Sequence, residues 1–406
     1  MKPWLTRNVW TLSWVSFLQD AASEMLYPLM PILLTGILHA PAAIVGMIEG
    51  LAEGVAATTK LLSNSINKWV PRKLMVLLGY AAAGLGKLII AGAGGWPLVL
   101  FGRLTDRVGK GLRSAPRDAL LIQGSEKEHR GRIIGFHRTA DTLGAVLGPI
   151  LALALLAAFD NQVRDVLWFA ALPAVLSVLM VLPVQDKQRS QRTEARLAAR
   201  AAAEAVAAGA AGRDTSAASP KNSEPLSARL RLIMSIIVGF AVVNFPDALV
   251  LLHVSQIGFS VTAVVGAYLL YNVSYAALNF PAGWLADKLS PHQIYAFGLV
   301  LFAISYGGMG LTKNGTATLA LLVVYGGFAA VNDTVGKSWI SKLAPESRQL
   351  WAQSLLQGLS GFGLLAAGLW AGLLWTLNGG VGSVPLLVSG TLALVAATVM
   401  ALVGRD

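Results

Sequence analysis

Apolar segments of about 20 residues recur along nearly the whole chain, with short polar breaks between them. A helix of about 20 apolar residues is long enough to cross the hydrocarbon core of a bilayer. The breaks contain prolines such as Pro41, Pro71 and Pro291, or glycine-rich turns. The pattern predicts an all-α membrane protein with twelve transmembrane helices, near residues 8–34, 42–65, 73–94, 97–118, 132–158, 164–184, 230–252, 260–286, 292–311, 317–341, 350–376 and 384–403.

Basic residues are concentrated in alternate breaks. Lysines and arginines follow spans 2, 4, 6, 8 and 10, whereas the opposite breaks contain only Arg164 and Lys313. Loops that are rich in Lys and Arg remain on the cytoplasmic side of the membrane. The alternation therefore predicts that both termini are cytoplasmic.

The two halves of the chain repeat each other. Residues 63–71 align without gaps to residues 283–291, and Glu128 and Arg130 align to Glu346 and Arg348. Parallel repeats of this kind are typical of one large class of transporters. We predict two pseudo-symmetric six-helix bundles, 1–184 and 229–406, joined by a cytoplasmic linker at 185–228. The polar, Ser- and Pro-containing linker is interpreted as a tether, and a regulatory or membrane-surface element is the alternative.

Composition removes several classes of function. The chain is 55% hydrophobic and only 13% charged, whereas soluble domains carry about 25% charge. It has no cysteine, its five histidines lack metal-ligand spacing, and it has no phosphate-binding Walker loop. We expect no cofactor, no metal site and no enzymatic activity. The net charge of +11 is explained by the cytoplasmic loops, so nucleic acid is not an expected partner.

Charged residues interrupt the fourth apolar segment along one face. Arg103, Asp106, Lys110, Arg113 and Arg117 are spaced alternately by three and four residues, which places them on one side of an α-helix. Each basic group at the centre of an isolated membrane helix would cost roughly 2.5–3.5 kcal/mol. This face must therefore point into a protein interior or a water-filled cavity.

Three segments resemble the major facilitator superfamily. Residues 283–288, Gly-Trp-Leu-Ala-Asp-Lys, are similar to its loop motif G-x-x-x-D-R/K, and residues 20–28 and 106–118 resemble a pattern of one prokaryotic branch. The resemblance covers nearly the whole chain. It implies a multi-pass protein of the prokaryotic inner (plasma) membrane, with helices 1, 4, 7 and 10 around a central cavity, and we expect a monomer.

The loop motif departs from the family in the first half. Asn67 stands where the family has a carboxylate that helps to lock the outward-open state. By resemblance, Asn67, Asp287 and Lys288 are gating positions, and the first-half gate should be weaker or use another anion.

Spans 1 and 5 carry the candidates for proton coupling. Asp20 and Glu24 lie one turn apart on span 1, and two partly desolvated carboxylates can load and release a proton. Permanent pairing with Arg103 or Lys110 is the alternative. His137 and Asp141, one turn apart on span 5, could relay protons or form a structural polar cluster.

Four spans supply candidates for the substrate cavity, because each carries polar or charged groups inside the membrane. Arg113 and Arg117, nearer the cytoplasmic end, are predicted to act in gating. Internal salt bridges, such as Asp106 with Lys110 or Asp333 with Lys337, are the alternative interpretation. The predicted cavity residues are Arg103, Asp106, Lys110, Asn244, Asp247, Tyr271, Asn332, Asp333 and Lys337.

These features predict a secondary active transporter that works by alternating access and is driven by protons. Residues 144–149, Gly-Ala-Val-Leu-Gly-Pro, partly resemble the family's antiporter motif and favour export. The expected partners are an anionic, zwitterionic or amphipathic small molecule, protons and membrane lipids. An uncoupled facilitator, a lipid flippase, and a non-transporting sensor or scaffold acting through residues 185–228 are the alternatives.

Overall fold

The computed structural model describes residues 4–67, 69–123, 125–126, 129–186, 227–344 and 349–403. Within these ranges the regular elements are all helical. The predicted linker falls almost entirely outside the described residues. Helical segments occur at each of the twelve predicted positions, which confirms the all-α prediction.

The first half contains six helices. They are α1 (Arg7–Leu26), α2 (Ala42–Ile66), α3 (Arg72–Ala91), α4 (Trp96–Leu121), α5 (Arg130–Ala158) and α6 (Val163–Val181). The chain after α1 stays helical but irregular, as a 3₁₀ turn (Tyr27–Leu29), a short α segment (Met30–Ile32) and a π turn (Leu33–Ile37).

The second half follows the same order. Its first helix is broken into two pieces, α7a (Ala228–Ala241) and α7b (Asp247–Gln256). The others are α8 (Val261–Lys288), α9 (Pro291–Leu311), α10 (Gly315–Leu343), α11 (Gln349–Leu377) and α12 (Ser383–Val403).

The two halves have the same internal arrangement. The helices α2, α3 and α4 begin 219 positions before α8, α9 and α10, respectively. Equivalent helices also pack together: α2 on α4 and α8 on α10, α3 on α6 and α9 on α12, α1 on α5 and α7a on α11. The repeat that the loop motifs indicated therefore extends through the helix packing.

Nine helices among the described residues are long and apolar enough to cross a membrane. The exceptions are α1, α4 and the broken α7. Asp20 and Glu24 interrupt α1, and the row of charges interrupts α4, so both fall short in hydropathy. The count of twelve spans and the cytoplasmic location of both termini remain predictions. The broader prediction of a multi-pass helical membrane protein agrees with the structure.

The break in α7 leaves backbone carbonyls without helical partners. Pro246 immediately precedes α7b as its N-cap and has no N–H group with which to continue the helix. Inside a membrane such carbonyls need other donors. Three side chains supply them: the Trp370 indole donates to Val242 O (2.8 Å), the Ser389 hydroxyl to Val243 O (2.8 Å) and the Tyr306 hydroxyl to Phe245 O (3.4 Å).

Helices α2 and α11 form a continuous seam between the halves. At one end, the backbone N–H of Ala43 donates to the Thr376 hydroxyl at 3.1 Å. At the other end, the Lys60 ammonium donates to the Gln357 carbonyl at 2.5 Å. The halves are thus joined along this side over nearly five turns of α2.

Glycines allow the seam to close between its ends. A Cβ atom on Gly46 would collide with the carbonyl oxygen of Gly368, and one on Gly50 would press on the backbone of Leu365. Small residues at such contacts let membrane helices approach closely.

Substitution of Gly46 by Ala should destabilise the protein, because the added methyl group must push α2 away from α11. We expect a loss on the order of 1–3 kcal/mol, as for other overpacked sites. The midpoint of thermal unfolding in detergent measures it. Gly239→Ala is the matched control, since a Cβ there has nothing within 4 Å. Equal midpoints for the two variants would contradict the close seam.

Candidate functional site

Two adjoining chambers lie between the halves. The first, which we call the vestibule, has a volume of about 530 Å³, and the second, the inner chamber, about 330 Å³. Glu53, Asn244, Asn332, Asp333 and Leu364 line both chambers, so the two are continuous. Helices α2, α7, α10 and α11 contribute to both walls, in partial agreement with the expectation from the family resemblance.

Tyrosine hydroxyls hold the polar groups of the inner chamber. Tyr325 donates to Asp247 Oδ1 at 2.5 Å, and Tyr275 donates to Asp333 Oδ2 at 3.2 Å. The ring of Tyr271 stacks on that of Tyr325, with 5.1 Å between the centroids. The break in α7 places Asp247 at the first position of α7b, where the helix dipole favours a negative charge.

Asn332 and Asn244 also lie on the walls. Tyr295 donates to Asn332 Oδ1 at 2.8 Å, and Tyr306 lies 3.5 Å from Asn244 Oδ1. The second half thus presents carboxylates and amides that are oriented by hydroxyl groups.

The first half presents cations to the vestibule. Lys110 is exposed and lines it together with Lys60. Glu53 is half-buried and forms an ion pair with Arg107, at 3.1 Å. Among the described residues, Lys110 has no carboxylate within 4 Å. Its ammonium is therefore available to a ligand or to a moving carboxylate.

Arg103 and Asp106 belong to a buried group of ion pairs behind this wall. Arg103 forms two hydrogen bonds with the carboxylate of Glu49 on α2, at 2.9 and 2.7 Å. Asp106 accepts from Lys87 on α3 at 2.8 Å and lies 3.6 Å from Arg103. All four side chains are at most 4% exposed. The group joins α2, α3 and α4, and its two positive charges balance two negative ones.

This arrangement limits what Arg103 and Asp106 can do in the conformation described. Neither lines the vestibule or the inner chamber. Arg103 is nevertheless one layer behind the wall, because its guanidinium lies 5.5 Å from the centre of the Tyr27 ring, which lines the inner chamber. The alternative interpretation, an internal salt bridge, fits this geometry, with Lys87 rather than Lys110 as the partner of Asp106.

Glu24 connects the two halves. Its carboxylate accepts a hydrogen bond of 2.5 Å from Tyr268 on α8, and the Tyr268 ring lies 5.5 Å from that of Tyr27. Asp20, one turn earlier, has no hydrogen-bond or ion-pair partner among the described residues. The charges that act on Asp20 most strongly are those of Lys110, Arg117 and Arg113 on α4.

His137 and Asp141 lie in a polar cluster within the first half. The His137 Nε2 atom is 3.7 Å from Asp141 Oδ1 and 3.4 Å from the Ser16 hydroxyl. Arg117 donates to the same hydroxyl at 2.9 Å and to Asp118 at 2.9 and 3.0 Å. His137 Nδ1 and Asp141 Oδ1 are buried with no hydrogen-bond partner. The cluster brings together one proton-coupling pair and one predicted gating residue.

The remaining gating predictions have different outcomes. Arg113 is buried with its guanidinium 4.5 Å from the centre of the Tyr80 ring. Asn67 caps the C-terminus of α2. The side chains of Asp287, Lys288 and Lys337 lie outside the described residues. The roles of all these residues remain predictions.

The predicted site residues did not include Arg107, which pairs with Glu53 on the chamber wall, or Tyr325, which lines the inner chamber, although the sequence carried signals for both. Arg107 follows Arg103 by four positions and precedes Lys110 by three, so it lies on the same face of α4. Tyr325 precedes Asn332 by seven positions, two helical turns along one face of α10. The described residues contain no group of three or more His, Asp or Glu side chains able to hold a metal ion.

Comparisons of the sequence with a family model and with a known protein point to the same family. The sequence model described as Major Facilitator Superfamily matches residues 12–273 and 231–406. An uncharacterized MFS-type transporter of Methanocaldococcus jannaschii is 28% identical over 405 residues, which cover 96% of this chain and 95% of that protein.

Solved structures share the fold at low identity. The nucleoside transporter NupG superposes with a TM-score of 0.79 at 12% identity, over 99% of this chain and 100% of that one. A D-xylose-proton symporter gives 0.73 at 15% identity, over 97% and 96% of the two chains. A bacterial homolog of the human lysosomal transporter Spinster gives 0.75 at 14%, over 100% and 98%.

Removal of Lys87 should destabilise the protein strongly, because Asp106 would lose its closest positive charge while remaining buried. We expect Lys87→Met to cost about 3–5 kcal/mol. Lys87→Met combined with Asp106→Leu should recover most of the loss, since the pair of Arg103 and Glu49 stays intact. Thermal unfolding in detergent measures all three proteins, with Lys313→Met as the control at an exposed loop position. A double variant no more stable than Lys87→Met alone would contradict the coupling.

Proposed function

Because the chain belongs to the Major Facilitator Superfamily, we propose that this transporter is driven by protons and exports a small molecule by alternating access. The membership confirms the family prediction and makes the protein a multi-pass membrane transporter. The assignment to a prokaryotic branch, the location in the inner membrane, and the division into bundles 1–184 and 229–406 with a linker at 185–228 are parts of the proposal.

The hydrogen bond between Glu24 and Tyr268 carries the proposal. It joins a titratable group in the first half to a hydroxyl in the second. A hydroxyl group forms a stronger hydrogen bond with an ionised carboxylate than it does with a neutral carboxyl group. A proton arriving at Glu24 therefore weakens the contact between the halves, and its departure restores the contact. Proton binding is thereby coupled to the movement that alternating access requires.

The charges around Glu24 suit a group that changes its protonation state. Lys110, Arg107 and Arg103 on α4 stabilise its negative form, and burial favours its neutral form. Asp20, one turn away on α1, faces Lys110 and Arg117. The balance between attraction and burial changes when the halves move, because water then reaches the site.

We place the remaining proton-coupling residues on a route within the first half. Asp20 interacts electrostatically with Asp141, which lies beside His137. The unpartnered Nδ1 of His137 and Oδ1 of Asp141 can accept or pass a proton without breaking an existing hydrogen bond. Arg117 holds the same cluster through Ser16, which supports its proposed role in gating.

Two further observations support the finer parts of the proposal. One protein of the same fold is a D-xylose-proton symporter, so proton coupling is compatible with this fold. For export, Gly144 and Gly148 of the antiporter-like segment pack against the backbone of α1 at Phe17 and Ala21. That contact positions the helix that carries Asp20 and Glu24.

Substitution of Glu24 by Gln should abolish proton movement that is coupled to transport, because the amide cannot carry a proton. Everted membrane vesicles from overexpressing cells, energised and loaded with a pH-sensitive dye, measure this. Compounds from a panel of amines, nucleosides, sugars and organic acids are added one at a time. Dequenching by a compound reports exchange of that compound for protons, and we expect the Glu24→Gln signal to fall at least tenfold.

Asp165→Asn is the matched control, because Asp165 is exposed on α6, away from both chambers. Tyr268→Phe should weaken the coupled signal although Glu24 can still bind a proton, since the hydrogen bond between the halves is lost. An unchanged signal in Glu24→Gln would refute coupling through this residue. If a compound is transported at a rate that does not depend on the pH gradient in any variant, the uncoupled facilitator is favoured.

A further inference from the structure

Aromatic rings make up much of the wall of the inner chamber. Six of the fifteen described residues that line it are aromatic: Tyr27, Phe245, Tyr271, Tyr275, Tyr325 and Phe328. Four more are carboxylic acids: Glu49, Glu53, Asp247 and Asp333. Among the described residues that line this chamber, none is basic. The vestibule differs, since Lys60 and Lys110 accompany Glu53 and Asp333 there.

The carboxylates of the inner chamber are not equivalent. Glu49 and Glu53 are neutralised by Arg103 and Arg107, which approach them from behind the wall. Asp247 has no basic side chain within 4 Å among the described residues. Its hydrogen bond comes from Tyr325, a neutral group. In its ionised form, Asp247 is a negative charge that the described side chains around it orient but do not balance.

A charge in such a place is costly unless an opposite charge joins it. The faces of aromatic rings carry partial negative charge and attract cations, and they do so best when water is excluded. Tyr271 stacks on Tyr325 at 5.1 Å, and Tyr325 stacks on Phe328 at 5.8 Å, beside the Asp247 carboxylate. The carboxylate and the rings therefore favour the same kind of ligand.

We propose that the inner chamber binds the charged end of an organic cation, a protonated amine or a quaternary ammonium group on an apolar body. Asp247 provides the counter-charge, and Tyr271, Tyr325 and Phe328 provide the ring faces. The inference rests on the proposed function, since it names the substrate class of the same central cavity. The chamber volume of about 330 Å³ is within the usual range for small-molecule sites.

The charge distribution also indicates an orientation. Among the described residues, lysines and carboxylates are equal in number along the wall of the vestibule, whereas the wall of the inner chamber has carboxylates and no basic side chain. A cationic end is therefore drawn inward, and the rest of the molecule extends toward the vestibule. An anionic, zwitterionic or amphipathic substrate was expected, with Arg103 among the groups that would bind its negative charge. That guanidinium is instead paired with Glu49 and lies behind the wall.

The contact between Tyr268 and Glu24 places the proton site next to this chamber. The Tyr268 ring lies 6.1 Å from that of Tyr271, which in turn stacks on Tyr325. A cation that separates Tyr325 from Asp247 must move this row of rings. Cation binding and the contact between the halves therefore affect one another, as exchange of a cation for a proton requires.

Isothermal titration calorimetry on the purified full-length protein in detergent tests the proposal. The probe is benzyltrimethylammonium, which combines a quaternary ammonium group with one ring. Benzenesulfonate and the uncharged benzyl alcohol serve as the anionic and neutral comparisons. We expect the cation to bind at least tenfold more tightly than either comparison. Asp247→Asn should weaken cation binding at least tenfold, and Asp165→Asn should leave it unchanged.

Tyr271→Leu provides a second test that removes no charge. It should weaken binding severalfold, and its effect decides the matter if Asp247→Asn fails to elute as a folded protein. Full binding in the tested variants, or tighter binding of benzenesulfonate, would overturn the proposal. The outcome is separable from proton coupling. If cations bind but cause no dye dequenching, this inference stands and the proposed proton coupling is wrong. If only non-cationic compounds cause dequenching, proton coupling stands and this inference is wrong.

Discussion

The structure depends on ion pairs that neutralise the buried charges of α4 inside the membrane region. Helix α4 carries six charged residues between positions 103 and 117, more than an isolated membrane helix could carry. Glu49 and Lys87 supply the matching charges from the two neighbouring helices. Close packing makes this possible, since Gly86 and Gly102 let α3 and α4 approach until their backbones touch. The ion pairs fix α2, α3 and α4 relative to one another, and the residues that face the chambers are held by that frame.

The two halves share a backbone arrangement but differ in chemistry. In the first half, Arg103, Arg107 and Lys87 form ion pairs with carboxylates, whereas Lys110 faces the vestibule and Asp20 has no ion-pair partner among the described residues. The second half relies on neutral hydroxyl groups, as Tyr325 does at Asp247 and Tyr295 at Asn332. Full charges attract over long distances and respond to protonation, whereas hydroxyl groups give direction without charge. This difference supports a division of labour, with the proton handled by the first half and the ligand oriented by the second.

Helical periodicity was sufficient to predict the helices and the shared face of the α4 charges. It could not identify their partners, because spacing along one helix does not say which neighbour that face meets. Asp106 was predicted to line the cavity, with a salt bridge to Lys110 one turn away as the alternative, yet its partner Lys87 belongs to another helix. The same limit explains why Arg103 was assigned to the cavity. Tyr325 was overlooked because a single tyrosine in an apolar helix carries no sign of the carboxylate it meets.

The three side chains that satisfy the broken backbone of α7 come from α9, α11 and α12. Asp247 owes its position to that break, so its location is determined by four helices and not by the local sequence alone. The sequence near Asp247 could therefore vary while the carboxylate stays in place, provided that Tyr306, Trp370 and Ser389 are kept. The position of one chamber carboxylate is thus a property of the whole second half, because its supports lie far from it along the chain.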